Sequence, residues 1–146
     1  MFLLATGVAV AAPTQVDFPC RQIWTADAQR ILGARAEPVD MGPKNCVIKI
    51  GDKFPIGIFT DPRKQFQFLL AKARKDPKTR SVTKLALGDE GYLVDQRPGY
   101  TFIFRKGRTT YRVLVTSLIK TSPAQRMALA KAVARKASGA PNPLVS

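Results

Sequence analysis

Large apolar side chains alternate with smaller or polar ones twice in close succession over residues 100–116. Tyr100, Phe102 and Phe104 are interleaved with Thr101, Ile103 and Arg105. After Lys106 and Gly107 the chain resumes with Tyr111, Val113 and Val115 between Thr110, Arg112 and Leu114. A period of two marks a strand with one face buried, so the pattern predicts a β-hairpin. Gly107 supplies the positive φ that a two-residue turn needs without a steric penalty. With Lys106 and Gly107 at the centre of the turn, Phe102 stands opposite Tyr111 and Tyr100 opposite Val113, and the six large side chains share one side. A hairpin alone is marginal in water, so the rest of the chain must cover that face.

Helical periodicity supplies the covers. Thr25 is placed to N-cap a short helix, with Asp27 in the first turn where the dipole favours it and Gly33 ending it. Ala28, Ile31 and Leu32 make its inner face, and Trp24 anchors its entry. Asp61-Pro62 opens a second helix, of the Asp-cap, Pro-first kind, running to about Lys75. There Phe66, Leu69, Leu70 and Ala73 face inward while Lys64, Phe68 and Lys75 face out, which predicts an exposed Phe68 among basic residues. Ser122-Pro123 opens a third helix to about Ala137, with Leu129, Ala130, Val133 and Ala137 as its packing stripe and Lys131 and Arg135 opposite. Strands are expected at 46–50 and 55–60 around Gly51-Asp52-Lys53. Pro55 and Gly57 put the second of these at an edge or at a bulge. Two more are expected at 80–85 and 92–95, around the turn Gly88-Asp89-Glu90-Gly91. This order predicts an α+β fold: an antiparallel sheet of about five or six strands flanked by two longer helices and one short N-terminal helix.

The 146 residues suffice for one domain, expected over 13–140, with a loose tail over 141–146. Residues 1–12 are an uncharged apolar run ending in Ala9-Val10-Ala11, which fits the hydrophobic region and cleavage site of a secretory signal without its basic leader. The run is too short to span a bilayer, and the competing reading is a buried first strand. No transmembrane segment is expected elsewhere.

Charge narrows the function classes. The formal net charge is +14, the pI is near 10.4, and there is no histidine. Such a field attracts anionic surfaces. Without histidine the usual general base, pH switch and commonest metal ligand are missing, and two cysteines are too few for a zinc site. Asp89 and Glu90 are the one carboxylate pair of interest, and adjacent residues in a solvated turn do not flank a substrate. No catalytic, metal or cofactor-binding residue is therefore assigned, and the chain is read as not an enzyme.

Cys20 and Cys46 are the only cysteines, and in an oxidising compartment they would close a disulfide. Two buried thiols in a cytosolic protein are the alternative. Asp95 is the last acidic residue, followed by ten basic ones with no acidic residue among them. The densest cluster, Arg105, Lys106 and Arg108 on the hairpin turn with Arg112 beside it, is the candidate anion site, since arginine forks read phosphate or carboxylate. A weaker second patch is Lys64, Phe68, Lys72 and Lys75. Against both stands the plain reading of a solvated basic face.

Three stretches carry a resemblance: Cys20 ahead of the Thr-Ala-Asp-Ala-Gln-Arg-Ile-Leu-Gly segment at 25–33, Cys46 on a strand, and Leu87-Gly88-Asp89-Glu90-Gly91-Tyr92 before the hairpin and an Ala-rich closing helix. Over residues 18–137 the chain resembles the small two-cysteine secreted domains of the actinobacterial lipoprotein type. Those are similar in fold to kinase extracellular sensor domains and to PsbP and Mog1-like modules. The resemblance implies an antiparallel sheet between helices and the disulfide. The segment Asp17-Phe18-Pro19 before Cys20 is no lipobox, and Val47 and Ile48 stand where that group often has an aromatic. The function expected is a non-catalytic, exported (periplasmic or secreted) binding or accessory protein whose basic surface engages an anionic envelope component or an acidic protein. The alternative is a nucleic-acid-binding protein in which Phe68 or Tyr111 stacks on bases, and a third class is an enzyme working through Ser, Thr, Lys or carboxylates without His, to which no spacing points.

Overall fold

The computed structural model describes residues 19–136. The expectations for residues 1–12, for Ala137 and for the tail lie outside that range. A 3-10 turn, Pro19–Gln22, leads into α1 (Thr25–Leu32), β1 (Ala36–Asp40), β2 (Asn45–Ile50) and β3 (Lys53–Pro62). A second 3-10 turn, Arg63–Gln65, opens α2 (Phe66–Lys75), and β4 (Ser81–Leu85), β5 (Glu90–Gln96), β6 (Gly99–Lys106), β7 (Thr109–Val115) and α3 (Pro123–Lys136) follow. The strands form one seven-stranded antiparallel sheet in the order β1-β2-β3-β7-β6-β5-β4. Two meanders, β1 to β3 and β4 to β7, are joined where β3 pairs with β7.

The aromatic alternation forms β6 and β7, but the turn lies one residue further along than the spacing suggested. Gly107 and Arg108 make it, with φ +59° at Gly107, and Lys106 pairs with Thr109. Phe104 therefore stands opposite Tyr111, Phe102 opposite Val113 and Tyr100 opposite Val115. The pairing moves by two residues, an even shift, so every side chain keeps its face. The Phe104 and Tyr111 rings stack with centroids 5.1 Å apart, an arrangement worth about 0.5–1.5 kcal/mol beyond the area it buries.

The strand count exceeds expectation because of β1. Ala36, Glu37, Pro38 and Asp40 are residues depleted from strands, and alternation there is weak. As an edge strand β1 needs a ladder on one side only, which is where a proline is tolerated. β3, by contrast, is an interior strand between β2 and β7. Pro55 is accommodated by a bulge: Ile48 pairs with Ile56 and Ile50 with Lys53, so Phe54 and Pro55 together oppose Lys49. Gly57 makes room for the Phe59 ring, which a Cβ would meet at 3.0 Å.

Three helix ends also differ. Asp61 and Pro62 finish β3 rather than opening α2, and Asp61 accepts from Arg112 instead. Thr25 is the first helical residue of α1, with Trp24 in the N-cap position. Gly33, expected to end the helix in the left-handed conformation, closes α1 at φ +111° and ψ 163°, a positive-φ conformation outside the left-handed helical one, its N–H donating to the Gln29 carbonyl. α3 starts as expected and adds a capping box: Ser122 Oγ accepts from the Gln125 N–H at 3.1 Å while Gln125 Oε1 accepts from the Ser122 N–H at 2.9 Å. Glu90 and Gly91, expected in a turn, begin β5.

Each sheet face has its own core. Ile48, Ile56, Ile58, Phe102, Phe104, Tyr111, Val113 and Val115 pack against α1 and α3, where Ala28, Ile31, Leu129, Ala130 and Val133 are buried. The opposite face is covered by α2, whose Phe66 and Leu70 sit on Val94 and Ile103. Asp27 ties the first layer together, accepting from Arg30 at 2.9 Å and from Arg135 of α3 at 2.5 Å. Trp24 is buried beneath the Arg135 and Lys136 cations. Cys20 and Cys46 are disulfide-bonded with Cα atoms 5.1 Å apart, fastening the first turn to β2 across 26 residues of chain. Loop-closure entropy for that span is on the order of 3 kcal/mol. The paired substitution Cys20→Ser and Cys46→Ser is expected to lower the unfolding free energy by that amount, read as a lower urea midpoint at unchanged slope, with the fold retained. An unchanged midpoint would show that the bond adds nothing.

Candidate anion-binding surface

The strand pleat decides where the hairpin cations go, because successive side chains leave opposite faces. Arg105 emerges on the α2 side, where its Nη2 pairs with Glu90 Oε1 at 2.7 Å and its guanidinium lies 4.8 Å from the Phe66 ring centroid. Lys106 emerges on the other side and its Nζ donates to the Ala134 carbonyl at 3.4 Å. That carbonyl is in the last turn of α3, where the helix dipole favours a cation. Arg112 pairs with Asp61 at 3.1 Å and lies over the Phe59 ring at 4.9 Å. Arg108 is exposed at the turn. The four residues are thus split between two faces, and three of them already hold a partner.

The carboxylates explain the arrangement. Asp89 Oδ2 accepts from Arg63 Nη1 at 2.6 Å and from the Gly107 N–H at 3.2 Å, and Arg63 also donates to the Gly107 carbonyl at 2.9 Å. Arg63, which the sequence pattern did not single out, therefore clasps the hairpin tip to the start of α2. The hydrogen bond from Arg63 holds the Asp89 carboxyl below its ordinary 3.8, helped by the Gly107 N–H and outweighing the desolvation that opposes it. Glu90 accepts from the Tyr92 hydroxyl at 2.8 Å as well as from Arg105. The Tyr92 bond, then Arg105, lowers the Glu90 pKa, and the same bond to Glu90 raises that of Tyr92. Burial pushes the Asp95 carboxyl up, but the Arg97 N–H and side chain more than offset this and lower it.

Four of the ten basic residues beyond Asp95 are neutralised by carboxylates, which the sequence order alone did not suggest. Arg97, Arg105, Arg112 and Arg135 reach back to Asp95, Glu90, Asp61 and Asp27. Arg126 lies 3.8 Å from the Tyr100 ring centroid and donates to the Thr121 carbonyl. Every ion pair among the described residues uses an arginine. Planar forks that dock bidentately and stack on rings outcompete flexible ammonium groups for a limited supply of carboxylates.

The lysines of the second patch are what remains. Lys64, Lys72 and Lys75 are exposed and make no ion pair among the described residues. Phe68 stands among them, 62% exposed as its helical position predicted. Phe68, Lys72 and Lys75 border one surface hollow with Ala71 and Asp76. Among the described residues no cluster of three or more histidine, cysteine or acidic side chains is placed to hold a metal, and no helix is long and apolar enough to cross a membrane. No family model matches the chain, and neither a curated protein nor a solved structure matches it.

The lowered Asp89 pKa fixes a sign for acid sensitivity. Its contribution is fully present above the unfolded carboxylate value and is lost as pH falls through the lower folded value. A carboxyl-carbon NMR titration is therefore expected to place Asp89 below 3.8, and Arg63→Gln is expected to move that midpoint upward. A midpoint unaffected by Arg63→Gln would remove the clasp from the explanation.

Proposed function

We propose that this chain is a non-catalytic binding module, exported and disulfide-closed, that engages an anionic envelope partner through the outer face of α2 and the 3-10 turn before it. The observation that carries this reading is the uneven commitment of charge. Arginines pair with Asp27, Asp61, Asp89, Glu90 and Asp95, whereas Lys64, Lys72 and Lys75 are exposed near the exposed Phe68 and make no ion pair among the described residues. Long-range attraction to a polyanion acts on such uncommitted cations first. The hairpin-tip group Arg105, Lys106, Arg108 and Arg112 contributes to the positive field but offers fewer free donors.

Export is supported by the Cys20–Cys46 bond, since disulfides persist in oxidising compartments. It also accords with the resemblance to small two-cysteine secreted domains, which implies a sheet between helices held by this bond. Phe68 favours a second reading, nucleic-acid binding, because an exposed ring between lysines is also a stacking platform.

Anionic vesicles and a single-stranded oligonucleotide separate the two. Each lysine near an anionic surface is worth about 1 kcal/mol, so the triple substitution Lys64→Gln, Lys72→Gln and Lys75→Gln is expected to weaken binding to phosphatidylglycerol vesicles by about 100-fold. The triple Arg105→Ser, Lys106→Ser and Arg108→Ser is expected to weaken it less. Equal binding by wild type and the α2 variant would refute the assignment to α2. Preference for the oligonucleotide, lost on Phe68→Ser, would replace the envelope partner with nucleic acid.

A further inference from the structure

Four large apolar side chains are exposed among the described residues: Met41, Phe54, Phe68 and Leu118. Phe54 and Leu118 are far apart in the chain, yet both flank one junction, where β7 ends beside the start of β3. The Thr116 hydroxyl ties that junction, donating to the Pro55 carbonyl at 2.8 Å and accepting the Leu118 N–H at 3.3 Å. The Thr116 N–H donates to the same carbonyl at 2.9 Å. One side chain thus holds both the residue after Phe54 and Leu118 itself.

The exposure of Phe54 comes from the bulge. On a regular strand Phe54 would share the face of the buried Ile56 and Ile58. Because Phe54 and Pro55 together oppose Lys49, that alternation is broken: Pro55 is buried and Phe54 is 47% exposed. Leu118 is 53% exposed after the end of β7.

Lysines bracket the pair. Lys53 precedes Phe54, Lys120 lies just beyond Leu118, and both are exposed and make no ion pair among the described residues. Asp52 is the one carboxylate on these two segments. The junction lies at the end of the sheet where α2 finishes: Gln96 at the end of β5 donates to Asp76, and Tyr100, past the next turn, pairs with Val115. Lysine is depleted from protein–protein interfaces. Aromatic and aliphatic side chains set among lysines suit the headgroup layer of an anionic bilayer, which takes up the apolar groups and pairs the ammonium groups with lipid phosphates.

We propose that the β3–β7 junction docks on an anionic lipid bilayer, with Phe54 and Leu118 entering the interfacial layer and Lys53 and Lys120 meeting lipid phosphates. This rests on the reading of an anionic envelope partner and specifies that partner as a bilayer. The lysines of α2 draw the chain to the surface, and the junction adds an apolar contact that salt does not screen.

Bromolipid quenching tests the insertion. Trp24 is the only native tryptophan and is buried, so the wild type supplies the baseline. On phosphatidylglycerol vesicles with brominated acyl chains, Phe54→Trp and Leu118→Trp are expected to be quenched. Met41→Trp is expected not to be, since the Met41 N–H bonds to Asn45, which pairs with Phe59 toward the opposite end of β3. The double substitution Phe54→Ser and Leu118→Ser removes two half-exposed apolar groups and is expected to weaken vesicle binding about 30-fold at unchanged salt dependence. Vesicle binding with neither quenching nor a loss in the double variant would overturn this proposal and leave the α2 face standing. Binding to heparin but not to vesicles would overturn the bilayer while an anionic partner remains. A wild-type dimer in sedimentation that the double variant loses, without quenching, would reassign the two side chains to a second copy of the chain.

Discussion

The seam between β3 and β7 is the pairing on which the rest of the molecule depends. Each meander could form locally from its own turns, but neither has a complete core. Seven pairs, from Ile56 with Val115 to Pro62 with Thr109, join them into one sheet. Both ends are locked by threonines: Thr116 donates its N–H and its hydroxyl to the Pro55 carbonyl at 2.9 and 2.8 Å, and Thr110 donates its hydroxyl to the Pro62 carbonyl at 3.1 Å. The continuous face that results lets α1 and α3 pack across Ile56, Ile58, Val113 and Val115 together. The seam pairs lie 47 to 59 residues apart in the chain, so their loop-closure cost is offset only when the whole face is buried at once.

The seam also places the charges. Asp61 ends β3 next to Arg112 of β7, and Arg63, just beyond, reaches the Gly107 turn and Asp89. The chain carries a net charge of +14, and four of its few carboxylates sit at element junctions: α1 to α3, β3 to β7, β5 to β6 and the hairpin tip. Exposed pairs of this kind add little to stability individually. Their consequence is selective: six arginines are paired with carboxylates, whereas the lysines of α2 are exposed and make no ion pair among the described residues.

The incomplete cover of the second sheet face follows from length. α2 is ten residues, roughly 15 Å, whereas the sheet it lies on has seven strands spaced nearly 5 Å apart. One short helix cannot close such a face, and an open hollow lined by Leu69, Ala73, Thr101 and Arg112 lies along its edge.

Much of this was determined by the sequence alone. Strict alternation in β6 and β7 named the central hairpin and its buried side, because the two-residue period survives a shift of register by two. The helical spacing of Phe66, Leu70 and Ala73 fixed which face of α2 is inward and left Phe68 outside. Ser122 with Pro123 marked the start of α3, and Cys20 with Cys46 was the one disulfide the chain could make. Only the tertiary structure decided that Ala36–Asp40 is a strand, since an edge strand draws its stability from its neighbour and not from its own propensities. It likewise decided that Pro55 lies inside the sheet, because the bulge that admits it exists only once β2 is paired. The candidate site was half legible for the same reason. Local density of Arg and Lys pointed to the hairpin tip, but which cations remain uncommitted depends on carboxylates brought from as far as Asp27 to Arg135, and no window of sequence contains both partners of such a pair.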